Sequence, residues 1–242
     1  MNKALVIARR EFAAYWLSPI AYVVLGLFLF LNSYFFLNPM FFQMGIATTQ
    51  NMFNFWGQLF IFFIPAVTMR LWAEERKQGT LELLLTYPAK VPELVFGKFL
   101  AALAFIGLGV ILTLPAVFTV AHFGDLDWGP VVGGYLGGIL MVSAYLSLGL
   151  FFSSLTENQI VAFLLTLFAL LILNLSLFIQ ISESGNIPYW ITWMLSLVGL
   201  GNHFLSLAKG VVSSQDVLYY LAFTAFFLWM NALVLEAKKW RG

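Results

Sequence analysis

Apolar and polar positions along the chain separate into long unbroken apolar runs joined by short polar segments. The first run, 20–37, has Asn32 as its main polar interruption and makes about 27 Å of helix at roughly 1.5 Å per residue, enough to cross a bilayer. Further runs fall at 55–73 around Pro65, 99–121 around Pro115, 131–152, 160–179 and 217–235. They predict an all-α integral membrane protein with six transmembrane helices in a single domain, 1–242. Each internal proline predicts a kink, tolerated in lipid where neighbours satisfy the freed carbonyl. The stretch 187–200, with Pro188, Trp190 and Trp193, is short for a span and predicts a re-entrant or interfacial element before the last one.

Composition agrees: 62% of residues are hydrophobic and 10% charged, far from the balance of a water-soluble domain. There is no cysteine, which removes disulfides, thiolate metal ligands and cysteine nucleophiles. With so few charges, their placement carries the information. If the N-terminus is cytoplasmic, eleven of the 12 basic residues lie inside: Lys3, Arg9, Arg10, Arg70, Arg76, Lys77, Lys90, Lys98, Lys238, Lys239 and Arg241. Only Lys209 lies outside, among Asp125, Asp127, Glu183 and Asp216. The positive-inside rule therefore predicts both termini in the cytoplasm, and it disfavours counting 187–200 as a seventh span. A cleaved signal peptide is the competing reading of 1–37, but no small-residue cleavage site follows the run.

Two polar segments stand out. Residues 2–16 read as an amphipathic interfacial helix with Leu5, Ala8, Phe12 and Tyr15 on one face, or as a basic topology anchor. The loop 70–98 carries Glu74, Glu75, Arg76 and Lys77 beyond the second span, then Gly79 as a break. Thr80 is a plausible N-cap of a new short helix with Glu82 in its first turn, and Pro88 is its stop signal. Pro92 suits the first turn of the helix that follows. Leu81, Leu84 and Leu85 share a face, which would either dock on a partner or dip into the bilayer surface; periodicity does not choose.

Chemistry is scarce. Gly97-Lys98 lacks the glycine spacing of a phosphate loop, so ATP binding by this chain is not expected. His122 with Asp125 and Asp127 reads as a solvated loop ahead of a metal site, and no catalytic, cofactor-binding or metal residue is expected. Gly133, Gly134, Gly137 and Gly138 form overlapping small-x-x-x-small pairs, a helix-packing signal favouring contacts within the chain. Asn32, Gln58 and Asn174 should face other helices or a cavity. No charge sits mid-span, which weighs against an ATP-independent channel or proton-driven transporter.

Met69 to Pro88, MRLWAEERKQGTLELLLTYP, and Ser153 to Val161, SSLTENQIV, resemble the permease subunits of type-2 ATP-binding-cassette transporters. Within that family the resemblance is to the branch of gliding-motility-type and copper-enzyme-maturation permeases, and it extends over nearly the whole chain. The resemblance implies a permease, an exporter by expectation, driven by separate ATPase subunits that bind ATP and magnesium. It makes Thr80, Leu81, Glu82, Leu84, Leu85 and Thr86 the coupling helix seated on the ATPase, and Glu74, Glu75 and Arg76 part of a cytoplasmic gate. It also implies a second permease chain, identical or related, and accommodates an envelope accessory protein and membrane lipid but no nucleic acid. Cargo is not implied, and a subunit that docks an ATPase to transmit mechanical work fits the same motifs.

Overall fold

The computed structural model describes residues 3–36, 48–86, 89–175 and 199–239. They form eleven helices: α1 Lys3–Trp16, α2 Pro19–Phe36, α3 Gln50–Thr68, α4 Arg70–Lys77, α5 Thr80–Thr86, α6 Val91–Ile111, α7 Leu114–Phe123, α8 Trp128–Leu155, α9 Gln159–Leu173, α10 Leu200–Ala208 and α11 Ser214–Lys239. Among the described residues five apolar stretches are long enough to cross a membrane: α2, α3 with α4, α6 with α7, α8, and α11. α9 is apolar but shorter, and the end of the run predicted over 160–179 lies outside the described residues, as does nearly all of 187–200. The chain is an all-α, multi-pass integral membrane protein. Large apolar side chains such as Val23, Phe62, Phe168, Ile172 and Leu218 remain exposed on its flanks, as lipid contact requires.

Joints fall where backbone chemistry dictates. Pro65 stays inside α3, and the break comes four residues later at Met69, whose N–H still donates to the Pro65 carbonyl at 2.9 Å. α6 ends at Ile111, and Pro115 occupies the first turn of α7, where its missing N–H costs nothing. Thr113 at this joint donates to the Val110 carbonyl at 2.6 Å and lies 2.8 Å from the Tyr135 hydroxyl. Gly79 takes a left-handed φ of +69°, turning the chain from α4 into α5. Thr80, expected as an N-cap, is instead the first helical residue, its hydroxyl donating back to the Glu75 carbonyl at 3.1 Å. Pro92 sits in the first turn of α6, and the Glu93 carboxylate accepts the Lys90 N–H at 2.8 Å.

The core is organised around α8, which packs against α3, α4, α6, α9, α10 and α11. Every residue from Met141 to Leu150 is buried. Two glycine ridges allow this. A Cβ at Gly133 would lie 2.4 Å from the Leu207 carbonyl oxygen, and one at Gly137 would lie 2.7 Å from the Leu207 Cβ, so this ridge seats α10. A Cβ at Gly134 or Gly138 would strike the rings of Phe53 or Trp56, so the other ridge seats α3. Further down, a Cβ at Gly149 would lie 2.3 Å from Thr68 Oγ1. Intramembrane polar groups are paired across helices: Trp56 Nε1 donates to Asn32 at 2.8 Å, and the Tyr145 hydroxyl to Asn174 at 2.7 Å. Gln58 is half-buried, and the fully buried Asn231 of α11, not among the expected polar sites, has no amide partner among the described residues.

α1 buries part of the expected face, with Tyr15 in the core and Phe12 packed against it. Leu5 is exposed, and the buried stripe is Ala4, Ile7 and Tyr15, with Glu11 largely buried between them. This face lies on α6, where a Cβ at Gly97 would come within 2.8 Å of Ile7 Cγ2 and 2.9 Å of the Ala4 carbonyl oxygen. The helix turned away from the simplest apolar stripe because α6 offers a cation, Lys98, that needs Glu11.

Backbone contacts cannot rotate away, so Gly133→Ala should cost about 1–3 kcal/mol. Gly26 of α2, which has nothing within 4 Å of its virtual Cβ, should accept alanine neutrally or gain up to about 1 kcal/mol. Thermal unfolding of the two variants in detergent measures the contrast.

Candidate functional site: a charged junction beneath the bundle

α4 and α5 form a limb extending beyond the apolar part of α3, and the charges of the loop 70–98 are concentrated there. Lys98, about two turns into α6, is 2% exposed. A cation this deep requires anions, because an unpaired buried ammonium is strongly disfavoured. It has two: Glu75 Oε1 of α4 at 2.7 Å and Glu11 Oε2 of α1 at 3.2 Å. Its Nζ also lies 5.0 Å from the Trp72 ring centroid. Arg10 pairs with Glu11 at 2.7 Å from the exposed side of α1. Three helices distant in sequence thus share one buried lysine.

The two carboxylates differ. Burial pushes Glu11 up, but Lys98 and Arg10 together outweigh it and hold the carboxyl below the ordinary glutamate value of 4.5. For Glu75 burial prevails over the attraction of Lys98, and the nearby charge of Glu11 adds to it, so this carboxyl is raised. Its Oε2 is buried with no hydrogen-bond partner.

A second set of bonds ties α4 to the end of α8. Ser153 Oγ accepts the Trp72 and Ala73 N–H groups at 3.1 and 3.2 Å and donates to the Met69 carbonyl at 3.1 Å. One hydroxyl thereby satisfies the backbone that the break at Met69 leaves open. Arg76 donates to the Leu155 carbonyl at 3.2 Å and pairs with Glu157 at 3.0 Å. Lys238 of α11 caps the Ser154 carbonyl. Cations placed on the last carbonyls of α8 also complement its dipole.

Of the residues singled out from sequence, Glu75 and Arg76 join these two networks, while Glu74 accepts a bond from Gln78 at 3.3 Å. On α5, Leu81 is buried, Leu84 packs on the core, and Glu82 is exposed. The apolar stripe is therefore partly consumed within the chain. Of Leu85 and Thr86 the helical backbone is described. Glu11, Lys98, Ser18, Arg70 and Ser153 were not singled out. Their one signal was positional: a lone acid on a basic helix, and a lysine bordered by apolar residues in PELVFGKFLAALAF.

At the opposite end, His203 Nδ1 lies 2.6 Å from Asp216, which also accepts from Ser206, and the His203 ring stacks on Tyr219 at 4.1 Å. His203 thereby clasps α10 to α11, whereas His122 contacts Phe123. Asp127 caps α8 by accepting the Gly129 N–H at 3.0 Å. Among the described residues no group of three His, Asp or Glu side chains could hold a metal.

The described residues thus form a multi-span helical body with a charged limb at one end. The chain matches the ABC-2 family transporter protein model over residues 47–233 and belongs to that family. No curated protein matches it. It is a membrane-embedded component of a family whose transporters pair with an ATPase subunit.

Removing the lysine tests the junction. Lys98→Met leaves two buried carboxylates facing each other and should cost about 3–5 kcal/mol near neutral pH. Without Lys98 the attraction that lowers both carboxyls is gone and burial raises them, so the cost, present where they are ionised, should shrink as the pH falls toward 4.5 from above. Adding Glu11→Gln and Glu75→Gln to Lys98→Met should recover most of it. Thermal melts at neutral and acid pH read all three outcomes.

Proposed function

We propose that this chain is the permease of an ATP-driven exporter, with α5 as the coupling helix through which a separate ATPase drives it. The observation that carries this reading is the attachment of α4: Glu75 to the α6 lysine on one side, Ser153 and Glu157 on the other. A push on Thr80, Leu81, Glu82, Leu84, Leu85 or Thr86 is delivered through Gly79 to a limb bonded to α1, α6 and α8 at once. Glu74, Glu75 and Arg76 then form the gate region whose bonds must be exchanged as the limb moves. In this reading both termini are cytoplasmic, placing the junction on the ATPase side of the inner membrane.

Motifs 69–88 and 153–161 support the gliding-motility-type and copper-enzyme-maturation branch. Two permease chains, identical or related, with two ATPases would complete the unit, and ATP with magnesium would sit on the ATPases. Alternating access or lateral extrusion between the permeases moves the cargo. A largely apolar interior with paired asparagines suits cargo of low polarity.

Glu82 is exposed, so its reversal tests docking without disturbing the core. Glu82→Arg should leave the chain monodisperse but lower recovery of the co-purifying ATPase about tenfold, the effect of one misplaced interface charge. Unchanged recovery would overturn docking through residues 80–86.

A further inference from the structure

A cavity of about 450 Å³ opens beside the lysine junction, between α1, the start of α2 and α4. Its lining includes the paired Lys98, Glu11 and Glu75 together with Arg70 and Glu74, and part of this charge is left without a partner. Arg70 donates to Ser18 Oγ and lies 4.9 Å from the Tyr15 ring centroid, but has no carboxylate partner among the described residues. Glu74, one turn along α4 from Arg70, and Glu75 line the same cavity. Lys98 takes Glu75 Oε1, leaving Oε2 without a donor, while Glu74 receives a bond from Gln78. The Tyr15 hydroxyl, on a side chain 3% exposed that lines the same cavity, is also unpartnered.

A cation lacking an anion and a carboxylate lacking a donor call for a ligand that carries both complements. A phosphodiester suits the planar guanidinium, which binds phosphate through paired N–H groups. A primary ammonium suits the carboxylates, because its three N–H donors can fill the open lone pairs. A quaternary ammonium of equal charge has none. Depth and lip decide whether this zwitterion is soluble or lipid-borne. Ser18 immediately precedes α2 and Arg70 begins α4; with the termini on the cytoplasmic side as proposed above, these positions fall at the membrane boundary, at the level of the headgroups. Leu17, 87% exposed, lines the cavity, giving the polar chamber an apolar lip.

We propose that this cavity is a binding site for the headgroup of an aminophospholipid of the phosphatidylethanolamine type, its phosphate on Arg70, its ammonium on Glu74 and Glu75, and its acyl chains leaving past Leu17. The lipid would fill the wedge between the interfacial helix and the limb, so that its occupancy bears on the limb's position. The site stands on the membrane placement of the chain and is independent of where an ATPase docks.

The test is native mass spectrometry of the delipidated full-length chain in detergent. It is titrated with phosphatidylethanolamine, phosphatidylcholine or phosphatidylglycerol of identical acyl chains. Phosphatidylethanolamine should bind about tenfold tighter than phosphatidylcholine, the worth of charge-assisted N–H bonds that choline cannot make. Arg70→Gln should weaken both lipids together. Glu74→Gln with Glu75→Gln should weaken phosphatidylethanolamine more than phosphatidylcholine and so abolish the preference. If that double variant fails to fold, Glu74→Gln alone, which leaves the Lys98 pairs intact, should reduce the preference. Equal binding of the two lipids by the unaltered chain, or an undiminished preference in a folded Glu74 variant, would overturn the site. Glycerophosphoethanolamine, which lacks acyl chains, should compete weakly; competition equal to that of the lipid would overturn the lipid assignment in favour of a soluble zwitterion.

Discussion

One ammonium group, that of Lys98, imposes more on this structure than any other polar atom. Because it lies almost wholly out of water, the elements able to supply its anions had to be brought to it. α1 therefore faces α6 with a carboxylate in its buried stripe, and α4 is held close enough for Glu75 to reach the same nitrogen. Desolvating three charged groups contributes little net stability. What the arrangement does impose is position. An apolar substitute could pack as tightly, but would not discriminate one rotation of α1 from another, whereas the lysine admits only the rotation that presents Glu11.

The remainder of the body answers to a different constraint, the close approach of helices that share apolar surfaces with lipid. Hydrophobic burial alone gives little reason for helices to associate in a bilayer, so contact distance matters. α8 achieves it with two glycine ridges set on adjacent faces, one receiving α10 and the other α3, and with Gly149 against Thr68 lower down. Serines along its buried length return their protons to carbonyls within α8, as Ser143 does to Leu140 and Ser147 to Ala144, so the helix can be buried without stranding polar atoms. The charged junction is attached to the lower end of this tightly held helix.

Much of this fold was legible because the bilayer makes the code simple. Five spans appear where apolar run lengths place them, and the breaks near Pro65, Gly79 and Pro115 follow from missing donors and a left-handed turn. α10 was not foreseen, being only nine residues with no capping side chain. The charged junction was half legible. Glu75 and Arg76 stand in an evident cluster of charges, but their partners Glu11, Lys98 and Glu157 lie in other segments, and no local spacing connects residue 11 to residue 98. The face of α1 was legible in part, Tyr15 and Phe12 packing as expected while Leu5 is exposed: a wheel weighs apolarity, whereas Lys98 weighed charge. Leu81 shows the converse limit, since an amphipathic stripe announces burial without saying whether the covering surface belongs to the same chain.

The single hydroxyl of Ser153 gives the elbow between α3 and α4 a particular mechanical character. It accepts from Trp72 and Ala73 and donates to Met69, so both lone pairs and its proton are committed to one short piece of backbone. Such an attachment does not yield by degrees. Any swing of α4 away from α8 strands two donors and a carbonyl together in a place with little water, and stability returns only when replacements are found. The elbow is therefore closer to a detent than to a spring, with discrete resting positions set by one side-chain oxygen.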